Sequence, residues 1–247
     1  MHVLVCVKRV PLTGGKIVLT DDARAIETRH LGFTVSPHEE CGVEEAVRIA
    51  EQHGASTAVL TLGPPEADEQ LRECLAIGAD RGILLDWGGE EWDAQATAAA
   101  IAAEAAGFDL VVFGNESADA GGYQVGIRVA YALGLPVVTG LKGLTVDGGR
   151  ARCEQEVPGG RDVYDVPLPA VVTVKEGLNL PRYPSVPAKL RAKSKPLDAR
   201  PLERPASRLE KLRLVVPEGS RKQAEILGEG PGAAQRVVEV MQQLGVA

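Results

Sequence analysis

The chain has 247 residues, 45% hydrophobic and 25% charged, enough to bury one sizeable core and incompatible with general disorder. A formal charge of -7 weighs against nucleic acid as the main partner, because phosphate backbones are gripped by clustered Lys and Arg. The four cysteines form no CxxC pair and fit small thiols in a reducing cytoplasm better than a disulfide framework.

Met1 is followed directly by the strand-like run His2–Val7, without a basic lead and too short to span a bilayer, so neither a signal peptide nor a membrane span is expected. That run reads as a first strand, and Thr57–Leu62, Gly82–Leu85 and Leu110–Phe113 read as further strands. Helical patterns separate them. Glu39–Gln52 places Cys41, Val43, Ala46, Val47 and Ala50 on one face, leaving Glu40, Glu44, Glu45 and Arg48 for water. Pro65–Ile77, the alanine-rich Asp93–Ala106 and Gly121–Leu133 are the next helices. This alternation predicts an α/β fold with an open, mostly parallel sheet flanked by helices.

After Pro136 the pattern changes. Val137–Val146, Arg150–Glu156, Arg161–Val166 and Ala170–Val174 are strand-like, and the Asp147-Gly148-Gly149 and Pro158-Gly159-Gly160 turns predict antiparallel hairpin strands. Lys175 to Arg208 is basic and proline-rich, which forbids a long helix or a central strand and predicts an exposed, extended C-terminal arm. An amphipathic helix over roughly Gly232–Leu244 closes the chain, with Val237, Val240, Met241 and Leu244 on one stripe. A boundary is drawn at residue 190, with residues 1–190 as the main domain and 191–247 as an appendage.

In an open parallel sheet, ligands bind beyond the carboxyl ends of the strands, so the loops after Val7, Leu62 and Phe113 are candidate sites. The loop Gly114–Gly126 carries adjacent glycines at 121 and 122 and runs into a helix whose first-turn amides suit a phosphate, with Gln124 as a side-chain donor. An ordinary glycine-rich connection stays open as the other reading, since one such loop is a weak motif. GxGxxG after the first strand, GxxxxGK[ST], HExxH and a nucleophile elbow are all missing, so neither a catalytic set nor a metal site is assigned. Of the four histidines only His38 falls in a candidate ligand loop, at a helix start where Ser36 can cap. The acids Glu44 and Glu45, and Glu90, Glu91 and Asp93, read as solvated helix faces. Leu180, Tyr183 and Val186 stand on a proline-stiffened segment ahead of Lys189–Lys195, a pattern suited to docking an acidic-rimmed partner.

Several blocks, VLVCVKRV at Val3–Val10, VEEAVRI at Val43–Ile49, AIGADRGI at Ala76–Ile83, PLPAVVTV at Pro167–Val174 and NLPRY at Asn179–Tyr183, together resemble the electron transfer flavoprotein beta subunit over nearly the whole chain. The resemblance implies an adenine nucleotide alpha hydrolase-like Rossmannoid fold and an electron carrier rather than an enzyme, with no catalytic residues of its own. It implies an AMP held by this chain and an FAD held mainly by an alpha subunit. The implied AMP contacts are Cys6; the turn Ser36, Pro37, His38 and Glu39; Leu62; and the stretch from Asp119 through Gly121, Gly122, Tyr123, Gln124, Val125 and Gly126 to Val129 and Ala130. The segment Lys175–Lys195 is similar to the recognition loop that docks acyl-CoA dehydrogenase-type flavoenzymes of fatty acid β-oxidation, which carries Leu180, Tyr183, Val186, Leu190 and Arg191 to a partner. Residues 191–247 are implied to pack on the alpha subunit.

There are departures from the family pattern. Its Asn-Pro-Phe-Cys turn is Ser36-Pro37-His38-Glu39 here, a tyrosine near the flavin is Thr13, and the leucine anchor is Val186, one methylene shorter and worth about 0.8 kcal/mol of burial. Two alternatives are a stand-alone adenine-nucleotide-binding signalling module and a bifurcating homologue with a second FAD in place of AMP. The Asn-Pro-Asp-Asp pattern of the latter is missing from the Ser36–Cys41 turn.

Overall fold

Four of the apolar runs become the parallel strands β1 (His2–Cys6), β4 (Ser56–Gly63), β5 (Arg81–Asp86) and β6 (Leu110–Gly114). The computed structural model describes every residue except Thr13, Gly15, Lys16, Glu90, Ser207, 217–224 and Ala247. The position proposed to neighbour a flavin, Thr13, therefore lies outside the described residues. The strands belong to a nine-stranded sheet in the order β11 (Leu197–Pro201), β5, β4, β1, β6, β10 (Ala170–Val174), β7 (Val137–Asp147), β8 (Arg150–Val157), β9 (Gly160–Pro167). A small second sheet pairs β2 (Arg9–Pro11) with β3 (Phe33–Val35).

Around the central parallel strands both faces of the sheet are covered, as the continuous apolar runs require. Val3 and Val5, with Val59 and Val112, face α1 (Pro37–His53) and α2 (Asp68–Ile77), packing on Val43, Ile49, Leu71 and Leu75. Leu4 and Cys6, with Leu60 and Phe113, face α3 (Ala94–Ala105) and α4 (Val125–Leu133), packing on Ile101, Ala105, Val129 and Ala130. The period of two therefore decides which strand-end residues share a face with α4.

The two glycine turns form the hairpins read from them. β7 (Val137–Asp147), β8 (Arg150–Val157) and β9 (Gly160–Pro167) make an antiparallel meander. The next strand, β10 (Ala170–Val174), does not extend that meander but returns between β6 and β7, parallel to both. Its residues are all buried, and only an interior slot gives such an unalternating run an apolar neighbour on both faces.

The arm is less extended than its prolines suggested. It holds the seven-residue helix α5 (Val186–Ala192), which packs on α2, and the strand β11 (Leu197–Pro201), which adds to the sheet edge beside β5. The Arg72 guanidinium donates to the carbonyls of Ala192 and Lys195 at 2.9 and 2.8 Å, tying the arm to α2. A seven-residue helix and an edge strand are what the proline spacing still permits. The boundary drawn at residue 190 falls inside α5. The last helix, α6 (Ala234–Gln243), buries none of its residues.

Candidate functional site

The order reverses at β1, which has β4 on one side and β6 on the other, and a crevice opens there beyond the strand ends. A cavity of about 280 Å³ fills it. Cys6, Leu62 and Phe113, all on the α3/α4 face, make its floor, and α4 begins at its side.

The helix starts later than the glycine pattern suggested, at Val125 instead of Gly121. Gly121 and Tyr123 both have φ of 54°, a left-handed conformation that no right-handed helix accommodates. The two residues turn the chain so that Gly122, Tyr123, Gln124, Val125 and Gly126 line the cavity. The first-turn amides of α4 have no intrahelical acceptors, and its N-cap Gln124 makes no side-chain cap bond, so those donors are available to an anion. Gly126 allows close packing here, because a Cβ would lie 3.0 Å from Thr173 and 3.1 Å from Phe113 and would force these side chains to shift.

Glu39 is the buried carboxyl group of the site, 6% exposed. Its carboxylate accepts from the amides of Lys8 and Ser36, each at 3.1 Å. Burial nevertheless pushes its pKa up to about 8 against the pull of those amides. The same burial, with the Glu39 charge beside it, raises the Cys6 thiol, which is therefore a packing residue rather than a nucleophile. Ser36 is fully buried and its Oγ accepts from the Ala118 amide at 3.0 Å, joining the start of α1 to the β6–α4 loop.

Among the described residues, Lys8 is the one basic side chain lining the cavity. Its Nζ lies 2.6 Å from Glu91 and 2.7 Å from Asp119, bridging the β5–α3 and β6–α4 loops. Burial works against the ammonium, yet the two carboxylates outweigh it and raise its pKa. Asp119, whose burial would raise its pKa, is held below the usual carboxylate range by Lys8.

The expected contact residues are thus divided. Cys6, Glu39, Leu62 and the Gly122–Gly126 stretch line the cavity. Ser36, Pro37, His38, Asp119 and Gly121 line an adjoining cavity of about 410 Å³, separated by Glu116, Ser117 and Ala120, and the buried Nδ1 of His38 has no partner. Val129 and Ala130 sit in the core under α4, outside the cavity lining. Lys8, Trp87 and Trp92 carry no site assignment from the sequence, and Glu91, read there as part of a solvated helix face, instead lines the cavity and pairs with Lys8. Their signal was position: Lys8 follows the end of β1, and Trp87 directly follows β5, on the same rim of the sheet as the loops inspected.

The recognition segment is also a built feature. Leu180, Tyr183, Val186 and Leu190 are exposed by 83%, 98%, 72% and 61%, and Arg191 is exposed as well. Their backbone is fastened to α1: Asn179 donates to the Cys41 carbonyl at 3.0 Å and Glu45 at 2.8 Å, and Arg48 donates to the Leu180 carbonyl at 3.1 Å. Arg182 pairs with Glu44 at 2.9 Å and Glu51 at 2.6 Å. Glu44 is 1% exposed, so the expectation of a solvated face is corrected: the returning segment covers it and supplies its counter-charge. Lys195 likewise points inward, its ammonium donating to the carbonyls of Leu75, Gly78 and Ala79 at the end of α2, instead of adding to the basic surface.

A doubly wound α/β sheet with a cavity at its reversal point and an anion-ready helix start defines the class of open-sheet ligand carriers. Comparison with known proteins narrows this. The family model described as electron transfer flavoprotein domain matches residues 24–205. The electron transfer flavoprotein subunit beta of Syntrophomonas wolfei is 35% identical over 98% of this chain and 96% of its own length. That of Bacillus subtilis is 34% identical over 80% and 78%. The caffeyl-CoA reductase-Etf complex subunit CarD of Acetobacterium woodii is 33% identical over 80% and 77%. The chain belongs to the electron transfer flavoprotein family, with its beta subunits. The first two relatives are electron-transfer subunits by name, and the third is named as a subunit of a reductase-Etf complex. Among the described residues no helix is long and apolar enough to cross a membrane, and no His, Cys, Asp or Glu cluster could hold a metal.

Proposed function

We propose that this chain is the nucleotide-holding half of a heterodimeric electron transfer flavoprotein, with AMP in the cavity at α4 and an FAD on a larger alpha subunit. The cavity carries the reading: its volume of about 280 Å³ lies just below the usual range of ligand sites, about 300–1,000 Å³, which suits a small ligand such as a mononucleotide. The residues fit that group, since the Gly122–Gly126 amides meet a phosphate while Leu62, Phe113 and Ile101 offer an apolar slot for a base. AMP would contribute stability and no chemistry, because a ligand that binds only the native state favours it. FAD, when bound, supplies the electron-carrying chemistry. This chain's own part is to shape the flavin's surroundings with the Ser36–Glu39 turn and to present Leu180, Tyr183, Val186, Leu190 and Arg191 to acyl-CoA dehydrogenase-type flavoenzymes.

Residues 1–190 then form the nucleotide domain, and 191–247 the part that meets the alpha subunit. Val237, Val238 and Met241 of α6, exposed by 41%, 48% and 39%, would be covered there. The four buried free thiols suit a cytoplasmic location. Copurification with the larger subunit should yield one AMP and one FAD per heterodimer. A stable colourless monomer without nucleotide would overturn the proposal. The adjoining cavity and the CarD relative favour a second reading, a second FAD extending through both cavities. Two flavins per heterodimer, read from absorbance, would establish it in place of AMP.

A further inference from the structure

Two loops flank the cavity, the β5–α3 loop with Trp87, Glu91 and Trp92 in its lining and the β6–α4 loop with Gly122, Tyr123 and Gln124. They rise from strands that are not neighbours, because the order β5-β4-β1-β6 puts three strand spacings, about 14 Å, between their roots. Lys8 stands between them just past the end of β1, and its ammonium reaches Glu91 of one loop at 2.6 Å and Asp119 of the other at 2.7 Å. Among the described residues no other hydrogen bond or ion pair links the two loops. The lysine is itself anchored, since its amide donates to Glu39 at 3.1 Å and the Val7 amide before it donates to the Leu60 carbonyl at 2.9 Å. Glu91 and Asp119 carry like charges, so the ammonium both draws the loops inward and offsets a repulsion that would part them. The second cation on Glu91, Lys211, lies at 3.4 Å, half-exposed and outside the cavity lining.

We propose that Lys8 is a positioning residue of this cavity: by holding the two loops at one separation it matches the site to a ligand with a flat ring at one end and a single phosphate at the other. The inference rests on the nucleotide reading above and adds what keeps the two halves of the site in register. A base against Leu62, Ile101 and Trp92 and a phosphate at the α4 amides are joined by one ribose, so both ends find their contacts only when the gap suits that span. A preset gap also spares the ligand the cost of ordering the loops. Lys8 acts through the loops rather than on the nucleotide, since both of its charge partners belong to the chain.

Lys8→Met keeps the aliphatic stem and removes the charge, whereas Lys8→Arg keeps the charge. The full chain, freed of copurified nucleotide with charcoal, is titrated by calorimetry with AMP, with adenosine and with ribose phosphate. Lys8→Met should weaken AMP about tenfold and leave both fragments at wild-type affinity, which also shows that each half of the site is still folded. Lys8→Arg should bring AMP back to within about threefold of the wild type. If Lys8→Met does not fold, Glu91→Ala opens the same bridge from the loop side and should give the same split between AMP and its fragments, with a smaller loss. Unchanged AMP affinity, a loss shared by AMP and ribose phosphate, which marks a direct phosphate contact, or a loss for both fragments overturns the spacing role while leaving the nucleotide site intact. A wild type that does not bind AMP at all refutes the nucleotide reading itself, and this inference with it.

Discussion

Replacing Arg182 with Met would keep the aliphatic stem and remove the guanidinium that fastens the recognition segment to α1. Arg182 reaches Glu44 through Nε at 2.9 Å and Nη2 at 3.1 Å, and Glu51 through Nη1 at 2.6 Å and Nη2 at 3.0 Å. The Glu51 side chain is 58% exposed, so that half contributes at most about 1 kcal/mol. The Glu44 half matters more, because its carboxylate is buried and keeps only Arg48 at 2.7 Å and the Arg182 amide at 3.1 Å after the change. Arg182 itself is 37% exposed, which discounts the buried-pair value to about 2 kcal/mol. The sum, on the order of 2–3 kcal/mol, corresponds to a roughly 30- to 150-fold larger open population of the segment. Thermolysin cuts beside Leu and Val, so nicking around Leu178, Leu180 and Val186 reports that population when opening is fast compared with cleavage. A nicking rate that rises less than about threefold would refute the view that Arg182 sets the segment's rigidity.

Glu39 should make the fold pH-dependent. Its native pKa, about 8, lies above the ordinary 4.5, so the native state keeps a proton that the unfolded chain releases; stability is full below pH 4.5 and falls until about 8, by roughly 5 kcal/mol in all. Urea midpoints between pH 5 and 9 should show this slope in the wild type and not in Glu39→Gln; equal slopes would remove Glu39 as the cause. Gly114→Ala places a Cβ 2.6 Å from the Glu39 Cγ, which is pinned by two amides and cannot retreat. An overpacking cost of about 1–3 kcal/mol should lower Tm by several degrees, and an unchanged Tm would show that the site relaxes freely. Lys195→Met leaves the carbonyls of Leu75, Gly78 and Ala79, in and just after the last turn of α2, without their shared donor and should destabilise by about 1–2 kcal/mol in urea unfolding, whereas a purely surface lysine would show no change.

Much of this protein follows from local pattern. Period-two and helical spacing already separate the strands of the parallel core from its helices, and strand parity assigns Cys6 and Phe113 to the face where the cavity opens. The glycine-rich entry to α4 is legible for the same reason: left-handed and tightly turned backbone demands glycine locally, although Tyr123 shares that conformation without announcing it. What local pattern cannot carry is pairing across the chain. Glu44 reads as a solvated acid until Arg182, 138 residues away, returns to cover it. Lys195 reads as surface charge until the arm folds onto α2, and β10 reads as a hairpin partner until the sheet places it between β6 and β7. Lys8 makes the same point for the site. A lysine after a strand is ordinary in sequence, and only the packed loops reveal the two carboxylates it holds together. Periodicity sets which face a side chain presents, whereas the identity of its neighbour, and so its charge, burial and chemistry, is decided when distant segments meet.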